Sequence, residues 1–316
     1  MQLYYYIDPE GNFGDDLNPR LWNQLIPDVL EQWPETLFVG IGTLLNSKVP
    51  ATPPKIVFGA GVGYGTAPVL DATWQVYCVR GPLSAQALGL DPSLAITDPA
   101  ILVRGIMPDL PAGLPRHAVS FMPHHGSKRH GDWRGICAQA GVHYIDPAGA
   151  IDDVLQAISH SDLLIAEAMH GAIVADALRV PWIPVVCYEH ILPFKWLDWC
   201  GSLGLDYRPH RLPALFNVDR KIGPARYAKS ALKRVLAHAG IAPRRWSPPI
   251  PRRSTAREIE AATAALAQLA AAGPARLSAD NVHQRAIARL HDALARLRRD
   301  AAQGRPQLAL SANASS

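Results

Sequence analysis

The chain has 316 residues, 48% hydrophobic and 18% charged, and reads as a soluble globular protein of two ordinary domains and a tail. Its four cysteines, Cys78, Cys137, Cys187 and Cys200, are too scattered for a disulfide framework. No Cys-x-x-Cys or His-x-x-x-His pairing suggests zinc, so no metal is expected. The net charge of +4 hides a division: residues 1–206 carry −10 and residues 207–316 carry +14.

A basic block of this kind serves nucleic acid, an anionic membrane surface or a solvated helix face. Nucleic acid is set aside, because Trp246 stands nearly alone there as a base-stacking aromatic. The opening Met1–Ile7 has no basic leader or small-residue cleavage site, and no apolar run approaches the roughly 20 residues that span a bilayer. A cytoplasmic protein is expected.

Leu3–Ile7 reads as a strand. Asn18-Pro19 offers a cap followed by proline at the first helical position, which predicts a helix from there to about Gln32. Leu37–Ile41, Lys55–Gly59 and Gln75–Val79 are short apolar strands, and Pro82–Leu88 is a helix. Arg104–Arg116, rich in Pro and Gly, reads as an interdomain linker. A second series follows: strands at His117–Met122, Val142–Ile145, Asp162–Ala166 and 182–186, with helices at 128–140, Ala150–Ser159 and 170–179. Two successive β/α series predict an α/β fold of two Rossmann-like domains facing a cleft, spanning 1–105 and 116–210. Residues 211–316 form a basic helical extension with helices near 254–272 and 278–303 and a disordered end, Ser311–Ser316. In the second helix Val282, Ala286, Leu290, Ala293, Leu294 and Leu297 share one face and arginines take much of the rest. That amphipathic basic pattern suits a membrane surface, or packing onto a domain or a second copy.

The candidate chemistry lies where strands end. Leu163–Ala166 stops at Glu167 and His170 and turns into a helix of small residues, whose free backbone N–H groups suit an anion. His170 is the leading acid/base candidate, against a plain role near a helix cap. Pro123–His130 brings His124 and His125 to another strand end. Adjacent histidines chelate one ion poorly, so an anionic ligand fits better than a metal. Lys195 follows the last strand, either over the cleft or as a surface lysine. Asp15 and Asp16 occupy the first β/α loop, either capping the next helix or bonding a polar substrate. Phe58–Gly65 follows a strand, but no register gives G-x-G-x-x-G, and Arg80 stands where a ribose-binding acid is needed, so a dehydrogenase is excluded.

Together, Gly11–Asp16, Phe58–Gly61, Val79–Ser84, Thr97–Ala100 and Met169–Ala177 followed by Val180-Pro181 resemble the polysaccharide pyruvyl transferases, most of all the ketal-pyruvate transferases of bacterial exopolysaccharide assembly. The resemblance covers roughly residues 1–210. It implies a GT-B-like arrangement, phosphoenolpyruvate as the donor substrate with no cofactor, and a sugar of a lipid-linked oligosaccharide at the inner face of the cytoplasmic membrane as acceptor. Many members carry an arginine two residues before the motif histidine, where this chain has Ala168. Arg80, His124, His125 or Lys195 would then meet the donor's charges, while Asp15, Asp16 and Glu167 would orient or deprotonate hydroxyls. A nucleotide-sugar glycosyltransferase shares the architecture and stays open as an alternative, as does a non-catalytic scaffold at the membrane.

Overall fold

A computed structural model describes residues 1–107, 115–217 and 252–304, with residues 228, 232, 235, 236 and 239. The first sheet is parallel, in the order β1 (Gln2–Tyr4), β2 (Leu37–Val39), β3 (Lys55–Phe58) and β4 (Trp74–Cys78). The second is also parallel. Its order is β6 (His143–Tyr144), β5 (Ser120–Met122), β7 (Leu164–Ala166), β8 (Trp182–Val186) and β9 (His210–Arg211). Leu37–Val39 and Leu164–Ala166 are buried throughout, the uninterrupted apolar reading of strands covered on both faces. The protein is therefore α/β, with the alternation that the sequence predicts.

The first helix departs from prediction. α1 spans Phe13–Leu25 and carries Pro19 inside it. The side chain of Asp16 accepts the Asn12 N–H at 2.9 Å, which closes the first turn before Asn18 is reached. Proline leaves the Asp15 carbonyl without its helical donor, and the Asn18 amide donates to that carbonyl at 3.0 Å instead. The other end of Asn18 accepts from Ile41 N–H at 2.8 Å and Trp22 Nε1 at 3.1 Å, tying α1 to the chain beyond β2.

α2 (Pro27–Leu30) and α3 (Pro82–Ala87) complete the first half, with a 3-10 helix at Pro99–Ile106. The predicted helix over 128–140 is two, α4 (His125–Lys128) and α5 (Trp133–Ala140), because Asp132 caps α5 by accepting from Gly135 N–H at 2.9 Å. α6 (Ile151–Ser159), α7 (Met169–Ala177) and α8 (Pro193–Ser202) follow. Most of the predicted linker, residues 108–114, and the predicted disordered end, Ser311–Ser316, lie outside the described residues.

One hydrophobic core runs through both halves. It takes Phe13 and Leu17 from α1, Ile101 from the 3-10 helix, Ile173 from α7 and Trp196 from α8. Two late helices clamp this arrangement. α9 (Ala256–Ala272) places Ala262 and Leu266 on the core of the second half, and α10 (Asp280–Ala302) crosses back to the first. Leu290, Leu294 and Leu297 of α10 are buried, and Arg296 donates to the Tyr77 carbonyl at 3.2 Å. The apolar stripe that might have met lipid is thus spent on packing, leaving Arg285, Arg298 and Arg299 on the exposed side. No helix among the described residues is long and apolar enough to cross a membrane. Leu290→Ala should cost about 2–5 kcal/mol in denaturant unfolding, the range for emptying a packed core site; an effect below about 0.5 kcal/mol, the surface range, would mean that α10 is not seated there.

Candidate active site

Above the shared core the carboxyl ends of both sheets open into a cleft of about 590 Å³. Ligands of α/β proteins sit at such strand ends. The N-terminal turns of α1 and α7 meet at its floor. Gly14 lies so close to the His170 ring that an added Cβ would stand 2.0 Å from Nδ1. Any side chain at position 14 would expel the imidazole.

Behind the ring, His170 Nε2 faces Asp98 Oδ2 at 3.6 Å, and neither atom has a hydrogen-bond partner among the described residues. Asp98 is fully buried, and its second oxygen caps the 3-10 helix by accepting from Ala100 N–H at 3.0 Å. His170 thus has a buried carboxylate facing Nε2 on one side of the ring and Gly14 against Nδ1 on the other. Sequence reasoning had placed no role on Asp98. Its Asp-Pro pair announces a helix start, and that local signal concealed a partner from the other half of the chain.

Asp15 lines the same cleft. Burial pushes its carboxyl up to about 6, against the opposing pull of His170, Lys195 and a hydrogen bond from the Asn12 amide. Asp16 is elsewhere employed, as the cap of α1, and does not line the cleft. Lys195 is 7% exposed as a residue, with the Tyr64 hydroxyl 3.4 Å from its Nζ and no carboxylate within ion-pair distance among the described residues. An ammonium in a cleft without a fixed counter-ion suits an anion.

His124 and His125 also line the cleft, but not as the cations that their Lys/Arg-rich surroundings suggested. Burial drives His124 well below the usual histidine range, with Lys195 and His125 adding to the effect. Its Nδ1 accepts from Gly126 N–H at 3.1 Å. Burial likewise lowers His125 to about 4, with Asp8 opposing. Both rings are neutral at pH 7 and offer hydrogen bonds rather than charge.

Two expected site residues are not in the cleft. Arg80 is fully buried: it donates to Asp198 at 3.0 Å, to Thr43 Oγ1 at 2.8 Å and to the Val62 carbonyl at 2.8 Å. Asp198 in turn accepts from Ser84, so this network joins the first half to α8. Arg80 holds the halves together and supports Thr43 on the cleft wall. Glu167 accepts from His124 N–H at 3.1 Å and Cys187 N–H at 2.7 Å, fastening the ends of β5 and β8 to that of β7. Burial raises its carboxyl above the usual range.

The fold and the cleft define an α/β protein that gathers a lysine, a carboxylate and several imidazoles at the carboxyl ends of two parallel sheets. Residues 12–188 match the polysaccharide pyruvyl transferase family, and the chain belongs to it. The succinoglycan biosynthesis protein ExoV of Rhizobium meliloti (strain 1021) is 46% identical over 233 residues, 72% of each chain. Asp15, Asp98 and His170 all fall within the matched residues.

Because folding raises the Asp15 carboxyl from 3.8 to about 6, its contribution to stability is fullest below pH 4 and is lost as the pH rises through 6. Asp15→Asn should therefore stabilise the fold increasingly between pH 4 and pH 7, by up to about 3 kcal/mol at pH 8. Melting curves of both proteins at pH 4.5 and pH 8 check this; a constant offset would show that the ionised carboxylate is not strained.

Proposed function

We propose that this protein transfers pyruvate from phosphoenolpyruvate onto two hydroxyls of one sugar as a ketal, during exopolysaccharide assembly. The observation that carries this is Lys195, without a carboxylate partner among the described residues, in one cleft with Asp15 and His170. Family membership and the role in succinoglycan biosynthesis of the Rhizobium relative support it. The overall arrangement is read as GT-B-like, with the donor held from the C-terminal half.

In this reading Lys195 and the N-terminus of α7 hold the donor's phosphate and carboxylate. Protonated His170 gives its proton to C3, turning the enol CH2 into CH3, while the first sugar hydroxyl adds to C2 and yields its proton to the Asp15 carboxylate. The C2–O bond to phosphate then breaks, and Asp15 delivers the proton to the departing phosphate. The second hydroxyl adds to C2 and recharges His170. One hydroxyl proton thus ends on C3 and the other on phosphate, and the enzyme is restored. Asp98 faces the ring that performs the first step, 3.6 Å from Nε2. The acceptor is taken to be lipid-linked at the inner face of the cytoplasmic membrane, with the basic side of α10 available to anionic headgroups.

Calorimetry should show saturable binding of phosphoenolpyruvate, weakened at least about tenfold in Lys195→Met, the effect of removing a desolvated charge contact, and no binding of UDP-glucose or GDP-mannose. His170→Asn should lower phosphate release in the presence of a glycoside by at least about 10²-fold with unchanged circular dichroism. Binding of a nucleotide sugar without phosphoenolpyruvate would replace this reading with glycosyl transfer.

A further inference from the structure

His124, His125, His170 and Lys195 line the cleft from the second half, whereas the wall contributed by the first half is rich in tyrosine, with Asp15 and Lys48 also lining the cleft. Tyr4, Tyr5, Tyr6 and Ile7 run from the end of the edge strand β1 along that wall, and Tyr64 comes from the loop after β3. Tyr6 is 55% exposed, Ile7 68% and Tyr64 46%. Large apolar side chains left in water normally scatter singly, and three on one cleft wall mark a contact surface.

We infer that this wall is a carbohydrate subsite, where the sugar units next to the reacting one stack on the tyrosines at the end of β1. The inference rests on the pyruvyl-transfer reading and extends it to the acceptor. A pyranose has an apolar C–H face and a rim of hydroxyls, and a tyrosine presents an apolar ring with a polar tip to match. The Asn46 amide on the same wall adds a donor and an acceptor. Lys48 of the same segment also lines the cleft and adds ammonium donors for sugar hydroxyls. The wall is also braced, since the Tyr4 hydroxyl donates to the Lys48 carbonyl at 3.3 Å. Tyr64 joins the two ends, its hydroxyl lying 3.4 Å from Lys195. The volume of about 590 Å³ lies well inside the range of drug-sized ligand sites and leaves room beyond a three-carbon phosphate.

Tyr6 is the residue to test, since it lines the cleft, is exposed and has no role in the proposed proton transfers. Two acceptor probes are compared in phosphate release from phosphoenolpyruvate: cellotetraose, whose terminal unit carries a free hydroxyl pair, and methyl β-glucoside. KM for cellotetraose should lie at least about tenfold below that for the glucoside. Tyr6→Ala should raise KM for cellotetraose about fivefold, with kcat and KM for the glucoside unchanged, and Tyr6→Phe should behave as the parent. Equal KM for cellotetraose in the parent and Tyr6→Ala overturns the subsite. A second arm needs no turnover: saturation-transfer NMR on cellotetraose alone. If neither sugar releases phosphate, the pyruvyl-transfer reading fails, and the NMR arm still decides the subsite. Transfer that Tyr6→Ala abolishes and Tyr6→Phe keeps sustains it, and no transfer to the parent protein overturns it. Loss of UDP-glucose binding in Tyr6→Ala would assign the wall to a nucleotide instead.

Discussion

The position of the His170 ring is the constraint on which the rest of the site depends. It occupies the space where a side chain of residue 14 would be, with Asp98 behind it. Three segments remote in sequence must converge within a few ångströms, two of them from the half that carries β1 to β4 and one from the half that carries β5 to β9. Such a contact survives only if the halves cannot slide. The continuous core and the buried Arg80–Asp198 pair supply that rigidity. The Phe13 N–H bond to the Pro147 carbonyl at 2.9 Å adds a pin at the first residue of α1. A buried pair of this kind is weak evidence of net stabilisation, since desolvation offsets much of its attraction, but losing either partner strands a charge in the interior. Its value here is geometric.

The cleft concentrates groups whose charge states have been moved by their surroundings. Asp15 is pushed toward neutrality while Lys195 is desolvated beside it. Burial lowers the pKa of the neighbouring imidazoles His124 and His125, so the positive charge facing an incoming anion comes from Lys195, Lys48 and the helix end. Had both rings stayed protonated, they would have repelled Lys195 and one another. Active sites concentrate such displaced titrations because proton transfer near pH 7 requires them. The strain in Asp15 is the reverse side of the same arrangement, for a carboxylate ready to take a proton is one that its surroundings stabilise poorly.

The sheets were legible in the sequence because parallel strands covered on both faces read as bare apolar runs, as Leu37–Val39 and Trp182–Val186 do. α1 was misread because its start depends on Asn12 and Asp16 closing a turn across a loop, and because Asn18 makes good what Pro19 removes. Neither device is a propensity. His170, Asp15 and Lys195 were legible as charged or titratable groups at strand ends. Arg80 and Glu167 looked the same in sequence, since a residue that faces a cleft and one that fastens loops beneath it occupy the same kind of position. What separates them is the partner: Asp198 for Arg80, and the His124 and Cys187 backbone for Glu167. Asp98 was invisible for the complementary reason, its local role as a cap being complete without His170.

The departure at position 168, where the family resemblance leads one to expect arginine, has a structural counterpart. Ala168 is the cap residue of α7, is almost fully buried and lines the cleft beside Met169 and His170. Lys195 brings its charge to the same cleft from α8, on a flexible stem that reaches in from the side instead of rising from the floor. An ammonium delivers a point charge without the fork geometry of arginine, so orientation must come from elsewhere. The neutral imidazoles of His124 and His125, the Tyr64 hydroxyl and the N–H groups that open α7 are the directional partners at hand. Position 168 is thus small where many members of the family carry a cation, and a lysine of this cleft comes from α8.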